Sequence, residues 1–288
     1  MNKKFNLKYA ASMTGFFALF ASMFSFISVY LLYKGYDNST IGTVLAFTGV
    51  STISIQTMQA SLLDKRPSFR LQDAISLNLL LVILGAVILL LTNGDIFVLG
   101  LIVFIFAFAQ ASETLLNSLA FVFEPFGIKI NYGFGRGMGS AAFALMTMVI
   151  GYIVEATTPS VIPIFYLVLA ITLLLIVRSY KHPLEQEELP TDTVNMTGEM
   201  EATDNTLIDF VKRYKRLLFL MTGVLCLMFT HTLVNNFFIQ IITPIGGNSA
   251  LMGIAIFIGA IVELPAMMGY ERIENRIASS NLLKIAAV

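Results

Sequence analysis

The chain alternates long apolar blocks with short polar breaks. The blocks lie near 9–33, 39–62, 73–92, 96–123, 134–156, 159–179, 217–242 and 249–269. Each is long enough to cross a hydrocarbon core of roughly 30 Å as an α-helix. The pattern predicts an all-α polytopic membrane protein with eight complete spans. A ninth apolar run begins at Asn281-Leu-Leu-Lys-Ile-Ala-Ala-Val and stops at Val288, so the chain is expected to end inside an element.

One segment breaks the rhythm. From His182 to Asp209 the chain is polar and acidic (Glu185, Glu187, Glu188, Asp192, Glu199, Glu201, Asp204), with Pro183 and Pro190. Such a stretch cannot bury a core and reads as a solvated tether. The basic cluster Lys212-Arg-Tyr-Lys-Arg216 then marks the entry to the seventh span. The expected organisation is a six-helix bundle over 1–181, a linker over 182–215 and a partial second bundle over 216–288.

The basic residues orient these spans. Sixteen of them fall on one side of the alternation: Lys3, Lys4, Lys8, Lys65, Arg66, Arg70, Lys129, Arg178, Lys181, Lys212, Arg213, Lys215, Arg216, Arg272, Arg276 and Lys284. Lys34 alone falls on the other, with Arg136 set aside. The positive-inside bias predicts a cytoplasmic N-terminus and a cytoplasmic linker, in an inner or plasma membrane. The basic start, Met1-Asn-Lys-Lys-Phe, precedes an apolar segment too long for a signal peptide.

Composition narrows the function. Charged residues make up only 12% of the chain, against about 25% in soluble domains, and mean hydropathy is +0.80. The charges sit in loops, so the zero net charge points to no nucleic-acid partner. Cys226 is the only cysteine, which excludes a disulfide within the chain and cysteine-rich metal sites. The sequence has no nucleotide-binding glycine loop, metal cluster or nucleophile–base arrangement, so neither an enzyme nor a cofactor is expected.

What remains is a set of polar groups inside apolar blocks. An ionisable side chain at a helix centre costs at least about 2.5–3.5 kcal/mol, so such residues face a polar interior and carry function. Span four offers Gln110, Glu113 and Asn117, spaced i, i+3, i+7 on one helix face. Span five offers Arg136, span eight Glu263. In span seven His231 and Asn235 share a face, with Thr232, Asn236 and Gln240 as a stripe beside them. The amides serve equally as hydrogen-bonding glue between helices, and His231 as a packing residue. Gly137, Gly139, Ser140, Ala141 and Ala142 allow span five to approach a neighbour closely. A carboxylate beside a cation in low dielectric can exchange its ion pair for a proton. The expectation is that Arg136 pairs with Glu113 and trades that partner for substrate.

Two motifs resemble a known group. Six spans, a long cytoplasmic loop and a second bundle are the plan of the major facilitator superfamily, and Ser61-Leu-Leu-Asp-Lys-Arg-Pro67 resembles its signature between spans two and three, without the usual glycines. Arg136 with Gly139-Ser-Ala-Ala-Phe-Ala-Leu145 resembles span five of the oligosaccharide:proton symporters, the lactose permease-like family. In that family the arginine three residues before the glycine binds sugar, and an aromatic seven residues after the arginine stacks on the sugar ring. Those positions here are Arg136, Gly139 and Phe143. The family's span-four glutamate falls at Ser118, beside Asn117, with Glu113 one turn earlier. Its tryptophan is replaced by Phe143, and its paired span-seven aspartates are absent, with His231, Asn235 and Asn236 nearby. Glu263, in Val262-Glu-Leu-Pro265, resembles its span-eight carboxylate. Its span-ten histidine and glutamate would lie beyond Val288.

The resemblance implies a monomeric carrier of a sugar-like solute and a proton, working by alternating access. Arg136, Glu113, Asn117, Phe143, His231, Asn235 and Glu263 would be the substrate and coupling residues, and Asp64, Lys65 and Arg66 a cytoplasmic gating loop. Rival readings are the same fold exporting a drug or importing a nucleoside, and a truncated fragment that transports nothing.

Overall fold

We describe a computed structural model in which the backbone is defined for residues 2–65, 70–92, 95–124, 127–180 and 214–274, and side chains in those ranges except at 2, 95 and 263–274. The described secondary structure is helical throughout: α1 (Asn2–Phe24), α2 (Ile27–Tyr33), α3 (Asn38–Lys65), α4 (Leu71–Leu91), α5 (Asp95–Leu119), α6 (Tyr132–Ala156), α7 (Ile162–Arg178), α8 (Lys215–Asn236), α9 (Phe238–Ile242) and α10 (Ser249–Glu274). Short 3-10 turns, Pro159–Val161 and Thr243–Ile245, precede α7 and follow α9.

Counting α1 and α2 as one span, seven helices among the described residues are long and apolar enough to cross a membrane. The block expected as an eighth span forms α10, whose apolar described stretch runs Ser249–Val262. Two expected spans are each split. The first breaks at Ser25-Phe26, between α1 and α2. The seventh breaks at Phe237, between α8 and α9.

Local chemistry sets the ends. After α2, Gly35 adopts φ +89°, and the amides of Gly35 and Tyr36 donate to Leu32 and Leu31 carbonyls, a Schellman closure that needs a residue tolerant of the left-handed region. Two residues on, the Asp37 carboxylate accepts the Thr40 amide at 3.1 Å and starts α3. Asn131 starts α6 in the same way, accepting the Phe134 amide at 2.9 Å.

Contacts between helices give their directions. Tyr9 and Phe17 of α1 meet Gly135 and Gly139 of α6 in the same order, so α1 and α6 run parallel. Lys8 donates to the Ser179 carbonyl and the Ser12 and Tyr180 hydroxyls lie 3.1 Å apart, so α7 returns antiparallel to α1. Asp73 in the first turn of α4 lies 3.9 Å from Arg178 in the last turn of α7. Gln59 of α3 and Asn78 of α4 exchange amide hydrogen bonds in the buried interior. The core is a phenylalanine- and leucine-rich cluster around α1, in which Tyr9, Phe16, Phe26 and Leu31 are fully enclosed. Leu80, Leu84, Leu91, Phe97 and Leu175 are exposed on the outside, where a bilayer supplies apolar solvent.

Candidate functional site

The site lies where α1, α6, α8 and α10 converge. Phe17, Phe20 and Phe24 follow i, i+3, i+7 along α1, and Arg136, Ser140 and Phe143 follow i, i+4, i+7 along α6. With His231, Thr232 and Asn235 of α8 and Ile256, Gly259 and Ala260 of α10, they line an open cavity of about 550 Å³. The side facing α1 is a run of rings. Phe20 stacks on Phe24 at 4.9 Å between centroids and lies 5.9 Å from Phe143.

Among the described residues, Arg136 brings a formal charge to this wall. Its Nη1 lies 3.1 Å from Glu113 Oε1, joining α6 to α5. The two side chains are 33% and 27% exposed, so the pair is partly desolvated and stronger than a surface ion pair, without the full cost of a dry interior. The guanidinium also lies 4.4 Å from the centroid of the Phe17 ring. Glu113 is not itself part of the cavity lining, so Arg136 spans from the lining to its carboxylate partner.

The other expected residues divide. His231 and Asn235 meet across one helical turn, with Asn235 Nδ2 3.1 Å from the ring Nε2 and 2.9 Å from the His231 carbonyl. Phe143 lines the cavity. Asn117 does not; its Oδ1 is the distant acceptor of the Tyr132 hydroxyl at 3.5 Å. Gln110 borders a second, mostly apolar cavity of about 640 Å³ between α3, α5 and α8, and its backbone carbonyl accepts from the Gln56 side-chain amide. Glu263 lies on α10 one turn after Gly259, and its side chain is outside the described residues. Asp64 and Lys65 end α3 and are exposed; Arg66 and residues 181–213, including most of the expected linker, lie outside the described residues.

Phe17, Phe20 and Phe24 are site residues that the charge and amide pattern does not reveal. Their signal is the i, i+3, i+7 spacing on a face turned towards Arg136.

Residues 7–288 match the MFS_1 like family. The chain belongs to that family. It is therefore a multi-pass membrane protein of a major facilitator family. It is similar to the maltose permease of Geobacillus stearothermophilus, at 29% identity over 279 residues. That match covers 95% of this chain, which spans 66% of the length of the permease. No solved structure matches the chain.

Proposed function

We propose that this transporter carries a sugar or oligosaccharide together with a proton, by alternating access between a bundle over 1–181 and a second beginning at 216. The supporting observation is Arg136, held between the Glu113 carboxylate and the Phe17 ring at the wall of a cavity large enough for a small saccharide. A guanidinium presents five N–H donors in one plane, suited to paired sugar hydroxyls. Phe143 offers an apolar ring to the sugar's C–H face, and His231 and Asn235 offer polar contacts from α8. Similarity to a maltose permease favours an α-linked glucoside.

Proton coupling follows from the ion pair. When substrate hydroxyls take the Arg136 donors, Glu113 loses its cation and becomes the group that accepts a proton. Glu263 supplies a second carboxylate from α10, Asn117 supports Tyr132 beside the pair, and Asp64, Lys65 and Arg66 gate the cytoplasmic end. The working unit is a monomer with its N-terminus in the cytoplasm. The test is uptake of labelled maltose into vesicles energised with and without an inward proton gradient. Gradient-dependent accumulation supports the reading. Uptake of a nucleoside or expulsion of a drug, with no maltose transport, overturns it.

A further inference from the structure

The cavity wall holds a relationship that the ion pair does not explain. Gly139 comes one helical turn after Arg136, and a Cβ there would lie 2.5 Å from Cδ2 of Phe17, closer than side-chain carbons approach. The glycine is therefore the floor of a seat for that ring. Phe17 is 7% exposed, and Phe16 and Phe20 pack on it at 88° and 83°, which fixes its plane. The ring so fixed carries the Arg136 guanidinium at 4.4 Å.

We propose that Phe17 is a positioning residue for Arg136: seated on Gly139, its ring holds the guanidinium so that the in-plane donors serve Glu113 and the substrate. The chemistry favours this division of labour. An aromatic ring attracts a cation through its face and asks for none of its N–H groups, so all five donors stay available. An aliphatic side chain of equal bulk fills the seat and supplies no such attraction. A flexible arginine held only by one carboxylate would sample many rotamers, and its ordering would be charged against substrate affinity. The glycine one turn from the arginine thus acts through a residue on another helix. Gly135, one turn before Gly139, seats the Tyr9 ring in the same manner and sets the register of the two helices.

The proposal rests on the transport reading for its kinetic arm alone. In the full chain reconstituted in proteoliposomes, Phe17→Leu raises the KM for labelled maltose by about 5- to 30-fold, with a maximal rate within about twofold of wild type. Phe17→Tyr, which keeps the ring face, restores KM. A second arm needs no substrate: phenylglyoxal modification of Arg136, followed by peptide mass spectrometry. Phe17→Leu speeds it about threefold or more, and Phe17→Tyr leaves it near wild type. Gly139→Ala speeds it as Phe17→Leu does, because the ring is displaced, and adds nothing further in the Phe17→Leu background. If Phe17→Leu does not accumulate in membranes, Phe17→Met carries the same comparison. Wild-type labelling rates in the Leu and Met variants overturn the proposal, as does an equal effect of Gly139→Ala in both backgrounds. Absence of maltose uptake in the wild type overturns the transport reading and leaves the labelling arm to decide this one.

Discussion

Gly151 of α6 and Gly253 of α10 meet backbone to backbone. A Cβ on Gly253 would lie 2.4 Å from the Thr147 carbonyl oxygen, and one on Gly151 2.6 Å from that of Ser249. Lipid offers helices no hydrophobic reason to associate, so their affinity comes from close van der Waals approach, which small residues permit. This crossing therefore ties the second part of the chain to the first. Gly253→Ala must push the helices apart and is expected to destabilise the chain by about 1–3 kcal/mol. Gly137→Ala is the control: nothing lies within 4 Å of a Cβ there, and the change is expected to be neutral or stabilising by up to about 1 kcal/mol. Thermal unfolding in detergent reads both, and equal losses would sink the argument.

The same joint has a polar component. Glu155, in the last turn of α6, accepts the Ser249 amide through Oε2 at 3.1 Å and so occupies an orphan donor at the start of α10. Glu155→Ala is expected to cost about 0.5–2 kcal/mol, as loss of a helix cap does. Glu155→Gln keeps an acceptor oxygen and loses less. Hydrogen exchange at the Ser249 amide is the direct measurement. Unchanged protection in the alanine variant would remove Glu155 from the joint.

Arg136 and Glu113 allow a separation of folding from transport. Glu113→Gln leaves a partly desolvated guanidinium with a neutral partner, at an expected cost of about 1.5–3 kcal/mol. Exchanging the two residues, Glu113→Arg with Arg136→Glu, restores an ion pair across the same two helices. The exchanged protein is expected to recover most of the lost thermal stability and none of the uptake, since the cavity wall then carries a carboxylate. Recovery of uptake would show that only the pairing matters and that the guanidinium does not contact substrate.

Much of this was legible in the chain because membrane helices announce themselves by length and apolarity. Among the described residues seven long helices stand where apolar blocks lie, and the Arg136–Glu113 contact joins two charges from adjacent blocks. The interruptions were not legible. Ser25-Phe26 and Phe237 break helices without a proline or glycine at either point, so no breaker residue marks them. Phe17 was hidden for another reason: among 24 phenylalanines, nothing in one ring's sequence context distinguishes a cation's support from core. Gly139 carried half of that signal, but its partner lies on a helix more than a hundred residues earlier. Asn117 and Glu113 share a helix face and neither lines the cavity; Arg136 links that face to it.

The start of α3 gives a pH-dependent prediction with a definite sign. The Asp37 carboxylate is held below its ordinary range by the hydrogen bond to the Thr40 side chain and then by that to the Thr40 amide. A carboxylate depressed in the folded state binds its proton more readily when unfolded. Its contribution is therefore complete above the unfolded pKa of about 3.9 and is lost as pH falls through the lower folded value. The residue is fully exposed, so the effect is local to the first turn of α3. Exchange of the Thr40 amide is expected to be slow and flat above about pH 5 once corrected for intrinsic rates, and to accelerate as the solution is acidified below the unfolded pKa. Asp37→Asn keeps a capping oxygen that does not titrate in this range, so protection should persist across the window with no acid limb. Asp37→Ala should lose protection at every pH. If the asparagine variant kept the acid limb, the titrating group would be another residue, and the capping role of Asp37 would lose its support.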